Sequence, residues 1–443
     1  MNFLPASVTS IPMTYADCLT YLFGLQRHGI KLGLENITQL LSHLNHPQRR
    51  FPVLHIGGTN GKGSSAAMAT GVLQALGFRV GLYTSPHLVD FRERIRVQGE
   101  CIGEESVRDF VRNLLANSTT DPGFTFFEIA TAMAFHHFAD ERVDIAVVEV
   151  GMGGRFDATN VCQPVGTLVT SLDLDHQAYL GDTLPAIAFE KAGIFKPTIP
   201  VVLGPMLDPA KEVLVEQASK VGAPVYEYGR DFVAKERADG HFDYDGIVNH
   251  FQSLLCPLAG SHQVVNAANA LALLEVSIIP GLSLIQKGIK QGFKGISWEG
   301  RLECVGNAPL TYLDGAHNPA SAQVIVEFFR REKASCPDRR VIMVLGMMND
   351  KNIGEFLKIV TPIVDTLILT RIDHPRAATL EELKMAVPTS MVSVKECPQP
   401  QEAWDLAHQM AQSQDVICVT GSLFLVGHMK SVLSGCRYAP VVG

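Results

Sequence analysis

Several features are scarce in this chain of 443 residues, and each scarcity removes a class of protein. Long blocks of one charge are missing. The 37 Lys and Arg and 45 Asp and Glu leave a formal charge of −8 spread along the chain, which argues against nucleic-acid or anionic-membrane partners, because both need a basic face. No segment stays apolar for the ~20 residues a membrane helix requires. Met1 to Met13 lacks the basic stretch and apolar core of a secretory leader. The nine cysteines form no C-x-x-C pair and sit in apolar settings such as Ile417-Cys418-Val419, so reduced, mostly structural thiols are expected. Internal repeats, heptads and low-complexity tracts are also missing. A cytoplasmic monomer acting on small molecules is the expectation.

What the chain has in quantity is β-like and helix-like segments in alternation. At this length two domains are expected, and a composition of 47% hydrophobic and 19% charged residues fits compact cores. Phe51 to Ile56, Asp144 to Val150 and Val165 to Thr170 read as buried strands, each running into a polar or glycine-bearing loop, with Ser64 to Leu76 at helical spacing after the first. Gly292 to Gly300 shows no clear period and separates a second series, with strands at Leu310 to Leu313, Arg340 to Leu345, Thr366 to Thr370 and Val416 to Thr420 and a helix over Ala320 to Glu332. The predicted fold is α/β: a P-loop-type domain over residues 1–295 with a largely parallel sheet flanked by helices, then a smaller Rossmann-like α/β domain over 296–443. Ligands in such sheets bind at the carboxyl ends of the strands.

The most informative stretch is His55-Ile-Gly-Gly-Thr-Asn-Gly-Lys-Gly-Ser-Ser65, a strand passing through a glycine-rich turn into a helix. Main-chain N–H groups of such a turn and the helix N-terminus suit phosphate oxygens, and Lys62 adds a mobile charge. The spacing departs from G-x-x-x-x-G-K-[ST]: Gly58 stands three residues before Gly61, and Gly63 separates Lys62 from Ser64. The competing reading is a tight turn whose glycines only permit close packing. Gly151-Met-Gly-Gly-Arg-Phe156 begins like a dinucleotide fingerprint but has Phe156 in place of the third glycine.

Glu149 ends an otherwise apolar strand, where a carboxylate needs a cation or hydrogen bonds. A Mg²⁺ ion with one or two carboxylates and substrate phosphates would satisfy it. Imidazole is a softer ligand than Mg²⁺ favours, so chemistry alone makes His176 a hydrogen-bonded structural residue. Lys191 by itself reads as a surface ammonium or an ion-pair partner. Phe126 and Phe127, taken alone, read as core.

Together these residues resemble the folylpolyglutamate synthase and dihydrofolate synthase family within the Mur-type ligases, over nearly the whole chain. The likeness runs through Lys31 to Glu35, Gly58 to Ser64, Thr84 to Leu88, Glu93 to Ile95, Glu149 to Asn160, Asp175-His176, Leu180-Gly181, Glu190 to Ile194, Gly300 to Glu303, Asp314 to Asn318 and Asp350-Lys351. It implies that Thr59, Asn60, Gly61, Lys62, Gly63 and Ser64 wrap the phosphates of ATP, with Asn266, Arg301 and Asp314 reaching the nucleotide from across the cleft and His317 joining them. It implies two Mg²⁺ ions on Ser85, Glu149, His176 and Lys191, the last carrying a carbamate that turns a cation into an oxygen ligand. It points to Lys31, Leu32, Gly33, Leu34, Phe126, Phe127, Phe156, Asp157 and Ala158 for the pterin substrate, and the Lys31 to Leu34 segment resembles enzymes that perform both folate reactions.

The implied chemistry is an ATP-dependent carboxylate-amine ligation. The carboxylate of dihydropteroate or of a reduced folate attacks the γ-phosphate, and the amine of L-glutamate displaces phosphate from the acyl phosphate, with Lys62, Lys191 and His317 as the catalytic set. Two rivals are weighed. A peptidoglycan-precursor ligase shares the phosphate loop but carries a further N-terminal domain for its nucleotide sugar, whereas about fifty residues precede the loop here. A non-catalytic nucleotide-binding relative would have lost residues such as Lys62, Glu149, His176 and Lys191.

Overall fold

The structure, a computed structural model, describes residues 13–25, 33–117, 123–388, 392–435 and 438. Two of the expected substrate residues, Lys31 and Leu32, lie outside the described residues.

Eight strands form the larger sheet: β1 (Val53–Gly57), β2 (Val80–Tyr83), β3 (Ile95–Val97), β4 (Glu100–Cys101), β5 (Ile145–Glu149), β6 (Pro164–Val169), β7 (Val201–Leu203) and β8 (Val225–Glu227), in the order β4-β3-β2-β5-β1-β6-β7-β8. Six pair in parallel, and β3 and β4 add an antiparallel edge. β1 and β5 are buried at every position, so their apolar runs do not alternate; a parallel sheet covered on both faces requires this. β1 sits between β5 and β6; its connection runs to β2 on one side, whereas that of β5 runs to β6 on the other. The crevice beyond its carboxyl end is therefore the natural ligand position.

Helix α1 (Lys62–Ala75) leaves β1 through the glycine-rich turn. It is buried from Ser64 to Ala69 because it lies between the sheet and two later helices. The helices that follow and bear on the site are α2 (Phe126–Asp140), α3 (Leu184–Ala192), α4 (Ser261–Val276), α5 (Gln286–Lys294), α6 (Pro319–Ser335) and α7 (Leu423–Ser434). A three-stranded antiparallel sheet, β9 (Val233–Glu236), β10 (His241–Asp245) and β11 (His250–Leu255), was not expected from the sequence. Only one face of it is buried, through Phe242, Tyr244, Phe251 and Leu254, so its pattern is a short alternation.

The second large sheet comprises β12 (Glu303–Asn307), β13 (Leu310–Leu313), β14 (Val341–Leu345), β15 (Thr366–Thr370), β16 (Ser393–Cys397) and β17 (Val416–Thr420), in the order β12-β13-β17-β14-β15-β16. All pair in parallel except β12 with β13. It shares no strand with the first sheet. α5 continues to Lys294, so the aperiodic stretch expected over Gly292 to Gly300 begins at Gly295. The loop after β2 enters the core of the second unit: Leu88 is buried in the cluster with Leu313, Val419, Leu425 and Val426, and Val89 packs against it. Full burial of a leucine contributes about 1.5–3 kcal/mol. Glu93 shapes the loop that carries Leu88 by accepting from the N–H groups of Leu88, Val89 and Asp90 at 2.7–2.9 Å.

Among the described residues no helix is long and apolar enough to cross a membrane. The eight cysteines in that set are free thiols; Cys101 and Cys304 are exposed rather than set in the core.

Candidate active site

The glycine-rich turn is fixed from behind by the end of β6. Thr59 N–H donates to the Ser171 carbonyl at 2.7 Å, and the hydroxyls of Thr170 and Ser171 donate to the Asn60 carbonyl at 2.7 and 3.1 Å. Gly61 is left-handed at φ 87°, and a Cβ there would stand 2.4 Å from Asn266 Oδ1. Glycine is thus required twice over, by conformation and by the approach of α4. The turn ends on the N-terminus of α1, whose first N–H groups have no intrahelical acceptors and face the cleft. The Lys62 ammonium donates to the Thr59 carbonyl at 3.0 Å, folded over the loop it would serve.

Register places Glu149 beside Ile56 at the end of β5, next to the turn. It is buried, and one carboxylate oxygen accepts from Ser85 N–H at 3.0 Å. Burial pushes its pKa up, opposed by the nearby Lys62 ammonium and the Ser85 bond. Lys191, read from sequence alone as a surface ammonium, is buried on α3 behind the loop and donates to the Gly58 carbonyl at 2.9 Å. Burial, reinforced by the Lys62 charge, pushes its pKa down to about 7. His176 borders the cleft with its side chain 44% exposed; the partial desolvation it has there, with the Lys351 and Lys62 charges, lowers its pKa to about 4 against the opposing Asp175 carboxylate. Among the described residues no three His, Cys, Asp or Glu side chains converge as a metal cage. Ser85, Glu149 and His176 instead border a cleft where phosphate and water would complete the shell, the arrangement Mg²⁺ favours.

The opposite wall comes from the second sheet. Asp314, at the end of β13, accepts from Leu302 N–H at 2.7 Å and Ala316 N–H at 2.8 Å, so it shapes the loops around Arg301 and His317. The His317 ring nitrogen Nδ1 lies 2.8 Å from the Gly315 carbonyl, and Nε2 faces Asp175 at 3.6 Å. Thr59 to Ser64, Ser85, Glu149, His176, Asn266, Arg301, Asp314 and His317 all border one cleft of about 470 Å³ between the two sheets.

Two bridges across this cleft escaped the sequence reading. Asp175 pairs with Lys351 at 2.7 Å. Burial raises the carboxyl's pKa, but the His317 and His176 rings and the Lys351 ammonium that face it outweigh this and hold the group well below the carboxylate range. Asn60 and Asn318 exchange amide hydrogen bonds at 3.1 and 3.4 Å. The motifs Asp175-His176, Asp350-Lys351 and Asp314 to Asn318 contained these residues but did not show that they meet.

The residues expected at the pterin lie elsewhere on the first unit. Phe126 is buried against Phe23 and Phe91, with the Arg94 guanidinium 5.1 Å from its ring centre. Phe127 lies under Gly151, and Phe156 is exposed. Asp157 is turned inward, accepting from the N–H groups of Met152 and Thr159 at 2.9 and 3.0 Å, beside buried Ala158. Gly33 and Leu34 lead into a helix over Glu35–His43, Leu34 packing on the core that contains Phe126.

A two-sheet ligase with a phosphate loop facing a second α/β unit is the class this geometry defines, and two family models match accordingly: the Mur ligase middle domain over residues 56–274 and the Mur ligase glutamate ligase domain over residues 300–423. The dihydrofolate synthase/folylpolyglutamate synthase of Bacillus subtilis is 32% identical over 95% of this chain and 99% of the relative. Escherichia coli FolC, solved in complex with DHPP and ADP, superposes with a TM-score of 0.87 at 32% identity, covering 97% of this chain and 99% of that one. The bifunctional folylpolyglutamate synthase/dihydrofolate synthase solved with Mn, AMPPNP and L-glutamate superposes with a TM-score of 0.85 at 31% identity, covering 98% of this chain and 100% of that one. The chain belongs to the folylpolyglutamate synthase/dihydrofolate synthase family and, with it, to the ATP-dependent ligases.

Proposed function

We propose that this chain joins L-glutamate to dihydropteroate and to the glutamate tail of reduced folates, through an acyl phosphate formed from ATP. The observation that carries the reading is the convergence, on one cleft, of the phosphate loop and Glu149 from one sheet with Arg301, Asp314 and His317 from the other. The N–H groups of Gly61 to Ser64 and the Lys62 ammonium hold the triphosphate, and Arg301 and His317 stabilise the charge that develops as the carboxylate attacks. Ser85, Glu149 and His176 suit a divalent cation, which would neutralise phosphate charge. The pterin lies against Phe127 and Phe156, with Gly33 and Leu34 at its edge.

Lys191 becomes a carbamate in this reading. A buried amine with its pKa near 7 is about half neutral at neutral pH and so offers the nucleophile that CO₂ requires; the carbamate, formed with release of a proton, supplies anionic oxygen behind the loop. Residues 1–295 and 296–443 form the two domains, and their approach completes the nucleotide site. The protein works as a cytoplasmic monomer.

Mass spectrometry of reactions with ATP, Mg²⁺ and L-glutamate tests the proposal, with dihydropteroate, a reduced folate and a uridine-linked muramyl peptide as separate acceptors. Both pterin acceptors are expected to gain a glutamyl group and the muramyl peptide none. A glutamylated muramyl peptide with unchanged pterins would overturn the reading.

A further inference from the structure

Gly63 stands between Lys62 and Ser64, where the usual phosphate loop needs no glycine. It lies inside α1 in a helical conformation that any residue adopts, so the backbone does not require it. Its neighbour does. A Cβ at Gly63 would stand 3.1 Å from Trp298 Nε1 and 3.2 Å from Trp298 Cζ2, tighter than an ordinary side-chain contact. Gly71, two turns further along α1, makes room for the chain that brings the indole there: a Cβ would meet the Gly292 carbonyl at 2.8 Å and Ile296 at 2.9 Å. Ile296 and Trp298 both pack on the core that contains Ala66 and Ala69 of α1.

Directly after Trp298 the chain passes to the second unit. Glu299 and Glu303 both pair with Lys430 on α7, at 2.9 and 2.6 Å, and Gly300 N–H donates to Glu303 at 2.9 Å. Trp298 is thus seated on the first unit and the next residue is tied to the second. Arg301 enters the cleft three residues later. Three residues reach about 10 Å at full extension, so the seat of the indole limits where the guanidinium can go. The two side chains also share a wall: Gly63, Ser85, Glu149, Trp298 and Arg301 line a smaller cavity of about 140 Å³, where the Arg96 guanidinium stands 5.9 Å from the centre of the indole.

Resting on the ATP reading above, we propose that Trp298 is a positioning residue: seated on Gly63, it fixes the start of the short segment that carries Arg301 to the triphosphate. The test is a double-mutant cycle on kcat for glutamate ligation. Trp298→Ala should lower kcat about a hundred-fold, the cost of roughly 1 Å of misplacement, and Arg301→Ala should cost at least as much. The double variant should be no slower than Arg301→Ala, because the indole acts through the guanidinium. Wild-type kcat in Trp298→Ala, or losses that multiply in the double variant, would overturn the assignment. If thermal unfolding shows that Trp298→Ala does not fold, the indole itself is read. Trp404→Phe leaves Trp298 as the only tryptophan, and its emission should shift when a non-hydrolysable ATP analogue saturates the protein in Mg²⁺. Adding Arg301→Ala should abolish the shift; no shift at all, or one that survives Arg301→Ala, would overturn the assignment. Wild-type protein that binds no ATP analogue by calorimetry would instead remove the ATP reading itself.

Discussion

The wall of the cleft built on the first sheet and the wall built on the second handle charge differently. On the first, Glu149 and Lys191 are buried with no ion-pair partner in contact among the described residues, each held by one main-chain group, and burial drives both towards neutrality. On the second, Lys351 and His317 reach across to Asp175, so the carboxylate stays charged and the two units are tied through it. The first wall is a prepared site whose charges become favourable when phosphate and metal arrive. The second is a set of interactions that can be made and broken, as domain closure requires.

The largest effect should come from removing the prepared charge at the loop. Lys62→Ala should lower turnover by about 10²–10³-fold, the usual cost of losing one group that stabilises transition-state charge. Its thermal unfolding should be unchanged, because the ammonium's one hydrogen bond among the described residues is to the Thr59 carbonyl. Acyl-phosphate trapping checks this, and near-normal trapping would show that Lys62 is not part of the phosphate site.

Next in size is the effect of pH through Lys191. Unfolded, its amine holds a proton up to the ordinary 10.5, whereas the buried amine releases it near 7. Between those values the unfolded chain binds more protons, so stability should rise with pH across that window. Denaturant unfolding of nucleotide-free protein in CO₂-depleted buffer reads this directly. Lys191→Met should flatten the rise, and a variant with the wild-type slope would contradict the assignment.

The bridge should matter least. Asp175→Asn and Lys351→Met should each raise the KM for ATP about tenfold with a smaller change in kcat, and the double variant should be no worse than either alone. The coupling expected for contacting residues is about 1–3 kcal/mol. Fully additive effects would mean that the pair does not act as a unit.

These contrasts also explain what could be read from the chain. β1, the glycine turn and α1 are contiguous, and both the apolar run and the required glycines are local facts, so the sequence reading came within two residues of their observed ends. Glu149 stood out because a carboxylate closing an apolar strand is anomalous wherever the chain folds. The bridges were hidden because Asp175 and Lys351 lie 176 residues apart, and Asn60 and Asn318 lie 258 apart. No local pattern records such a meeting. Lys191 was misjudged alone because lysine is usually exposed, and only the position of α3 behind the loop reverses that prior. Gly63 stood out as a departure from the usual loop, but the indole that needs its space belongs to Trp298, beyond the boundary between the two series.

The account rests on where the triphosphate sits. A crystal structure with a non-hydrolysable ATP analogue and Mg²⁺ should show the β- and γ-phosphates on the main-chain N–H groups of residues 61–64, the ion beside Ser85 and Glu149, and Arg301 turned to the same nucleotide. Density for the triphosphate elsewhere, with those amides facing only solvent, would contradict it.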